Sequence, residues 1–397
     1  MRLSRLRACG LSILGGTLLL APHGVIGGAG IGFSDAESLL LKALREVRSA
    51  RLDYAQQTIS QLIDRYPNFR LAYLVQGDLW LARSKPLQSV GNTPQAAEQV
   101  QGLRAEAAAR ARRDAEVAKT DQVPANFWRV PASQPYAIAV DVEKSRLYVF
   151  ENRSGRLSRI ADFYISIGKA GSGKVREGDQ RTPLGSYLLQ TAVPREKLTD
   201  FYGVGAFPLD YPNAWDKRLG RNGYGIWLHG VPRDTYARAP RASDGCLVVS
   251  NPDLQLIERF IVPGRTPFMV APSIDWTNAD AASKSGQNLL SAIERWRGDW
   301  QALDTPRYLQ HYAAEFTSGS QRLDAWRTQK AAVNANKTWA KIELSNLSVV
   351  QYPGEKDLAI VTFDQNYQSS NLSGQSHKQQ LWRLIDGRWQ IIYEGSA

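Results

Sequence analysis

Gly225-Ile226-Trp227-Leu228-His229-Gly230 and, after a long loop, Ser243-Asp244-Gly245-Cys246-Leu247-Val248-Val249 are the stretches whose reading decides the fold. Each reads as a short strand, 225–229 and 246–249, because an apolar run is bounded by glycine or polar residues. Adjacent in one sheet, they bring His229 and Cys246 to the same rim. A thiol attacks as its thiolate, so a nucleophilic cysteine needs a nearby base or a lowered pKa. Gly245 lets the backbone turn tightly before Cys246. The main-chain N–H groups of Gly245 and Cys246 are candidates to receive an oxyanion. Ser243, Asp244, Arg241, Gly230, Trp227 and Tyr224 surround the pair as candidate substrate-binding residues.

Working outward, the period-two pattern continues. Ile138, Val140 and Val142 alternate, and 147–150 follows a Glu-Lys-Ser turn as the second arm of a hairpin. Strands are expected at 160–167, 185–190 and 268–271, with Asn251 as an N-cap and Pro252 in the first helical turn. Residues 130–272 thus form a mostly-β domain. Before it, 35–121 is helical. Leu39, Leu40, Ala43, Leu44 and Val47 mark one stripe, and Ala55, Ile59, Leu62 and Ile63 a second. Tyr66-Pro67 breaks the pattern, and Leu71, Leu74, Leu79 and Leu81 resume it. The junction resembles that of a tetratricopeptide repeat, over too few units for a solenoid, and suits docking or a homodimer through these helices. The Ala/Arg/Glu-rich stretch 105–119 reads as an exposed helical connector. After the β domain, 273–288 is small and polar and reads as a linker. Residues 289–397 carry helical patterns with Trp296, Trp300, Tyr308, Tyr312 and Trp326, then four alternating strands with Asp386-Gly387 as the last hairpin turn.

Residues 1–30 read as a secretory signal, with Arg2, Arg5 and Arg7 ahead of an apolar run at 11–20. That run is shorter than the roughly 20 residues a membrane helix needs, so no span is expected in the mature chain. Removal of the signal takes Cys9 away and leaves Cys246 as the one thiol, in a periplasmic or cell-envelope setting where cysteines otherwise pair. The formal charge of +11 suits anionic wall polymers or a membrane surface. Nucleic acid is not indicated, because no long basic cluster interleaves with aromatics. The four histidines, His23, His229, His311 and His377, have no metal-ligand spacing. Gly168 to Val175 nearly spells a phosphate-binding loop, but Val175 stands where a Mg²⁺-binding hydroxyl is required.

Residues 135–272 resemble the L,D-transpeptidase catalytic domain of the YkuD type. The resemblance is carried by Ile167-Gly168-Lys169, Thr182-Pro183-Leu184-Gly185, Phe201-Tyr202-Gly203, Tyr211-Pro212-Asn213, Trp227-Leu228-His229-Gly230, Ser243-Asp244-Gly245-Cys246 and Ser250-Asn251-Pro252-Asp253-Leu254. It implies that Cys246 is the nucleophile and His229 the base, with the Gly245 and Cys246 amides around an oxyanion. It implies peptidoglycan stem peptides as substrate and no cofactor. In that family the cysteine attacks the L-centre carbonyl of meso-diaminopimelate, expels D-alanine, and passes the acyl group to an amine or to water, and the resemblance implies the same here. Two departures stand out: Asp244 replaces the family's usual histidine, and Val248 stands where an arginine is common. Arg241 and Arg238 in the same loop suit substrate carboxylates. The end of the chain, Trp382-Arg383-Leu384 with Asp386-Gly387-Arg388-Trp389, resembles an NTF2-like α+β cone. The three-part layout is similar to cell-shape L,D-carboxypeptidases. The expectation is therefore a multidomain exported L,D-transpeptidase, with an L,D-carboxypeptidase and an inactive wall-binding module as alternatives.

Overall fold

The computed structural model describes residues 35–86, 89–91, 97–114 and 121–397. The signal-sequence reading, with Cys9 and His23, lies outside the described residues.

Three helices open the described chain: α1 (Asp35–Arg48), α2 (Leu52–Arg65) and α3 (Arg70–Leu81). They pack in sequence order, and the break between α2 and α3 falls at Tyr66-Pro67. Leu40, Ala43, Ala55, Ile59, Leu62, Leu71, Val75 and Leu79 form their core. Each fully buried leucine or isoleucine contributes roughly 1.5–3 kcal/mol. Leu81, counted in the stripe, is exposed at the helix end.

Helix α4 (Ala97–Asp114) corrects the connector reading. It starts earlier than expected and is not exposed: Glu106, Arg110 and Arg113 are all buried. Small Ala107 and Ala109 let it approach closely, and its charges meet partners on other elements. Arg110 pairs with Glu106 (2.9 Å) and with Glu37 of α1 (3.2 Å). Arg113 makes a bidentate pair with Asp162 (2.6 and 2.9 Å). Arg146 reaches Glu37 (2.7 Å) and also Asp162. Burial alone would raise Glu37 and Asp162, but Arg146, with Arg110 at Glu37 and Arg113 at Asp162, outweighs it and holds both carboxyls below their ordinary range.

Two strands precede the β domain, β1 (Gln122–Pro124) and β2 (Phe127–Arg129). The domain itself runs through β3 (Tyr136–Asp141), β4 (Arg146–Arg153), β5 (Arg156–Tyr164), β6 (Ile167–Gly168), β7 (Gly185–Leu188) and β8 (Ala206–Pro208). Helix α5 (Ala214–Arg218), β9 (Trp227–His229), β10 (Arg241–Ser243), β11 (Leu247–Val248), α6 (Asn251–Ile257) and β12 (Pro267–Ala271) follow. One sheet has the order β5-β4-β3-β12-β7, a second β11-β9-β8, and β10 pairs with β6. Ile138, Val140, Leu147 and Val149 face Phe207, Leu228, Leu247 and Val249 in the core between the first two sheets. The opposite face, with Ala137, Ala139, Tyr148 and Phe150, packs on residues of the last domain such as Val350, Ile360 and Leu381. The five-stranded sheet is therefore covered on both sides.

Residues 273–288 are not a linker. β13 (Trp276–Asn278) pairs antiparallel with β1, and α7 (Ala279–Ser285) is capped by Asn278, whose side chain accepts the Ala281 N–H. Their small polar side chains hid structure that an N-cap and a strand partner supply. The last domain has α8 (Gln287–Gln301), α9 (Thr305–Gln310), β14 (Tyr312–Ser318), β15 (Gln321–Arg322) and α10 (Leu323–Ala335). Four long strands close it: β16 (Ala340–Gln351), β17 (Leu358–Ser369), β18 (Ser373–Ile385) and β19 (Arg388–Ser396). Tyr312 lies on a strand rather than a helix, yet it still joins the aromatic core with Trp296, Trp300 and Trp326. β2 adds to the edge of this seven-stranded sheet, so the chain ahead of the β domain is sewn into the domain that follows it. Asp386 and Gly387 both have positive φ, 48° and 75°, as a two-residue hairpin turn of type I′ requires. Among the described residues no helix is long and apolar enough to cross a membrane.

Candidate active site

β9 and β11 run parallel, with Leu247 opposite Leu228 and Val248 opposite His229. Leu228, Leu247 and Val249 point into the core. Residues alternate along a strand, so Trp227 and His229 share the opposite face of β9, and Cys246, one residue before β11, lies against the same strand through the Gly225 carbonyl and the Trp227 N–H. His229 is fully buried, and Cys246 is half-buried.

The turn before Cys246 is built from side chains that the sequence pattern assigned elsewhere. Gly245 has φ of +124°, and a Cβ there would meet the Arg181 carbonyl at 2.8 Å, so glycine is required on both counts. The Gly245 N–H donates to Ser243 Oγ (3.2 Å), and Ser243 Oγ donates to the Cys246 carbonyl (2.6 Å). Thr182 Oγ1, fully buried, accepts the Gly168 N–H and donates to the Gly245 carbonyl, each at 2.9 Å. Ser243 is thus a buried brace of this turn rather than a substrate contact. The Gly245 amide is already engaged, which corrects its reading as a free oxyanion donor.

His229 Nδ1 lies 2.6 Å from the Gly230 carbonyl, an acceptor, so Nδ1 carries the proton and Nε2 the lone pair. Nε2 is buried and has no hydrogen-bond partner. The Cys246 thiol donates instead to the Gly225 carbonyl (3.4 Å). Burial pushes the His229 pKa down to about 4. Burial likewise raises the thiol, against the Trp227 N–H and the Arg238 guanidinium, which favour the thiolate. Tyr202 meets the imidazole edge-on at 5.1 Å, and Phe201 lies 5.7 Å away.

Asn251 holds this wall. Its Oδ1 accepts from the Val204 and Val231 amides (3.2 and 3.1 Å), and its Nδ2 donates to the Val231 carbonyl (2.8 Å). The N-cap of α6 is Ser250, whose hydroxyl accepts from the Asp253 amide (3.2 Å); Asn251 is spent on the site. A Cβ at Gly203 or Gly230 would collide with Asn251 Oδ1. Gly230 is therefore buried room for Asn251, not a surface for substrate.

The remaining candidates lie at the rim. Trp227 is half-buried, 4.8 Å from Tyr202, while Arg241 and Tyr224 are exposed. The Asp244 side chain is 72% exposed and pairs with Lys169 (2.8 Å), not with His229. Arg238 has its guanidinium 4.6 Å over the Phe201 ring. Lys174, the lysine of the phosphate-loop lookalike, is buried and paired with Asp179 (2.9 Å). Asp179 is held down at about 2: burial opposes this, but the Val175 amide and Lys174 outweigh it. Among the described residues no His/Cys/Asp/Glu group has the arrangement of a metal site.

Residues 135–270 match the L,D-transpeptidase catalytic domain family, YkuD, and residues 288–395 match the Cds6 C-terminal NTF2-like domain. Among solved structures the chain is similar to Bd1075 of Bdellovibrio bacteriovorus, at 28% identity and a TM-score of 0.61, covering 70% of this chain and 98% of that one. It is also similar in fold to the helical cell shape determining protein Pgp2 of Campylobacter jejuni, at 24% identity and a TM-score of 0.58, covering 68% and 95%. No curated protein is a significant match.

Proposed function

We propose, from the YkuD-type L,D-transpeptidase catalytic domain and the NTF2-like domain that this chain carries, that it is an exported cysteine acyltransferase acting on peptidoglycan stem tetrapeptides. The observation that carries the reading is a half-buried thiol seated beside β9, the strand that ends in a buried imidazole whose Nε2 has no hydrogen-bond partner. Cys246 Sγ attacks the carbonyl of the penultimate residue while His229 Nε2 takes the thiol proton. The C–N bond breaks, the terminal residue leaves with that proton, and a thioester remains. An amine then takes the acyl group and frees the thiol, which is L,D-transpeptidation.

A second reading has water as acceptor, an L,D-carboxypeptidase. Position 244 favours it, because the aspartate that replaces the family's usual histidine turns outward to Lys169 and supports neither His229 nor Cys246. Incubation of the purified chain with muropeptides separates the two. Dimers cross-linked through diaminopimelate mean transfer, and tripeptide alone means hydrolysis. Neither product, with no carbapenem adduct on Cys246, sinks the enzyme reading.

A further inference from the structure

The loop 231–240 between β9 and β10 leaves the β domain and enters the core of the helical unit. Tyr236 is buried in the same cluster as Leu40, Ile59 and Leu79. Its ring stacks on Phe69 at 4.2 Å and meets Tyr66 edge-on at 5.4 Å. The Tyr236 N–H donates to the Asn68 carbonyl (3.2 Å), and Asn68 Nδ2 donates back to the Arg233 carbonyl (3.0 Å). On the other side of Tyr236 the backbone is tied to β5 and the segment after it. Tyr164 Oη donates to the Arg238 carbonyl (2.8 Å), and Ser166 Oγ donates to the Ala239 carbonyl. The Arg238 side chain turns back toward the site, over Phe201, whose ring lies 5.7 Å from the His229 imidazole.

We infer that Arg238 receives the C-terminal carboxylate of the peptide cleaved at Cys246, and that the helical unit positions it through Tyr236. The identity of the peptide rests on the acyl-transfer reading above; the placement of the cation does not. A guanidinium half withdrawn from water is suited to a carboxylate, which it meets through two parallel hydrogen bonds. Burial lowers the Arg238 pKa, with Cys246 and Asp244 opposing, so the cation is partly desolvated beside the thiol. Arg238 is on this account a binding residue and Tyr236 a positioning residue. The N-terminal helices then belong to the active site without touching the reacting atoms.

The test uses the full chain carrying Cys9→Ser, so that Cys246 is the one thiol. Its rate with an anionic nitrobenzoate disulfide is compared with its rate with a neutral dipyridyl disulfide. Arg238→Ala is expected to lower the anionic-to-neutral ratio roughly ten-fold, the low end of electrostatic steering into a charged cleft. Tyr236→Ala is expected to lower it similarly, and Tyr236→Phe to keep it. Phe69→Leu, which removes the stack but keeps an apolar plug, carries the same expected drop should Tyr236→Ala fail to fold. An unchanged ratio in Arg238→Ala overturns the carboxylate site. A lowered ratio there with wild-type ratios in folded Tyr236→Ala or Phe69→Leu overturns the positioning role. In parallel, Arg238→Ala is expected to raise KM for tetrapeptide with kcat little changed, and a C-terminally amidated tetrapeptide to erase that difference. Absent muropeptide turnover with the ratio pattern intact would instead sink the acyl-transfer reading and leave the placement of Arg238 standing.

Discussion

The seam between α1, α4 and β4–β5 and the site between β9 and β11 are both buried, and their titratable groups end in opposite states. In the seam every charge named has an opposite charge within hydrogen-bond reach. Burial would neutralise Arg146, but Glu37 and Asp162 outweigh it and keep the guanidinium protonated. In the site the buried imidazole has no charged partner, so burial wins and His229 stands neutral at ordinary pH. Burial also raises the thiol, although the Trp227 N–H and the Arg238 guanidinium oppose it. Burial among partners keeps Glu37, Asp162 and Arg146 charged, and burial without one keeps the His229 imidazole in its neutral, lone-pair form. On the proposed mechanism the Cys246 and His229 pair is neutral before attack, so that proton transfer accompanies bond formation.

The comparison can be broken first at the site. Cys246→Ala is expected to lower turnover of tetrapeptide by at least about 10⁴-fold, and His229→Gln by about 10²–10⁴-fold, read as kcat on muropeptides. A His229→Gln variant with wild-type kcat would remove the base from the mechanism. In the seam, Glu37→Ala is expected to cost about 3–5 kcal/mol in denaturant unfolding, because it takes one carboxylate from each of buried Arg110 and Arg146 and leaves them with Glu106 and Asp162 alone. A cost below about 1 kcal/mol, the scale of an exposed pair, would show that the seam is not desolvated as drawn.

The pH dependence sharpens the contrast. His229 binds its proton near 6.5 unfolded and at about 4 folded, so between those values the unfolded state holds more protons and stability falls as pH falls. Relative to His229→Gln, the wild type is expected to lose about 3 kcal/mol across that window. Asp210 and Asp253, pushed up to about 6 by burial, act with the opposite sign, since the folded state then holds more protons than the unfolded one. The difference between variants, not the raw curve, therefore isolates the histidine. Wild type and variant losing stability in parallel would mean that His229 is not desolvated. The smallest effect is expected at the rim: Asp244→Asn removes a largely exposed pair and should change stability by less than about 1 kcal/mol.

Much of this was legible before folding. The stripes of α1 and α2 and the alternation at Ile138 and Val140 follow from burying one face of an element, which leaves a local period. Cys246 and His229 could be singled out because thiols and imidazoles are scarce in this chain. What escaped notice lacks a local period. Helix α4 reads as exposed because its charges find partners more than 30 residues away, Arg110 in Glu37 and Arg113 in Asp162. β1, β2 and β13 are three residues each, too short to show alternation, and exist because distant strands pair with them. Asn251 and Ser250 compete for one cap, and the choice depends on the glycines at 203 and 230 leaving space for the asparagine.

By itself the sequence determined which groups are available: one thiol after residue 30, one histidine near it, and the glycines that let the backbone crowd around both. The chemistry of a side chain travels with its identity, so these needed no coordinates. Only the tertiary structure decided their states and supports. It engaged the Gly245 amide with Ser243, turned Asp244 out to Lys169, and brought Arg238 over Phe201 on a loop held in the helical unit. Those outcomes depend on which groups lie beside each other once water is excluded, and that is a property of packing between residues far apart in the chain.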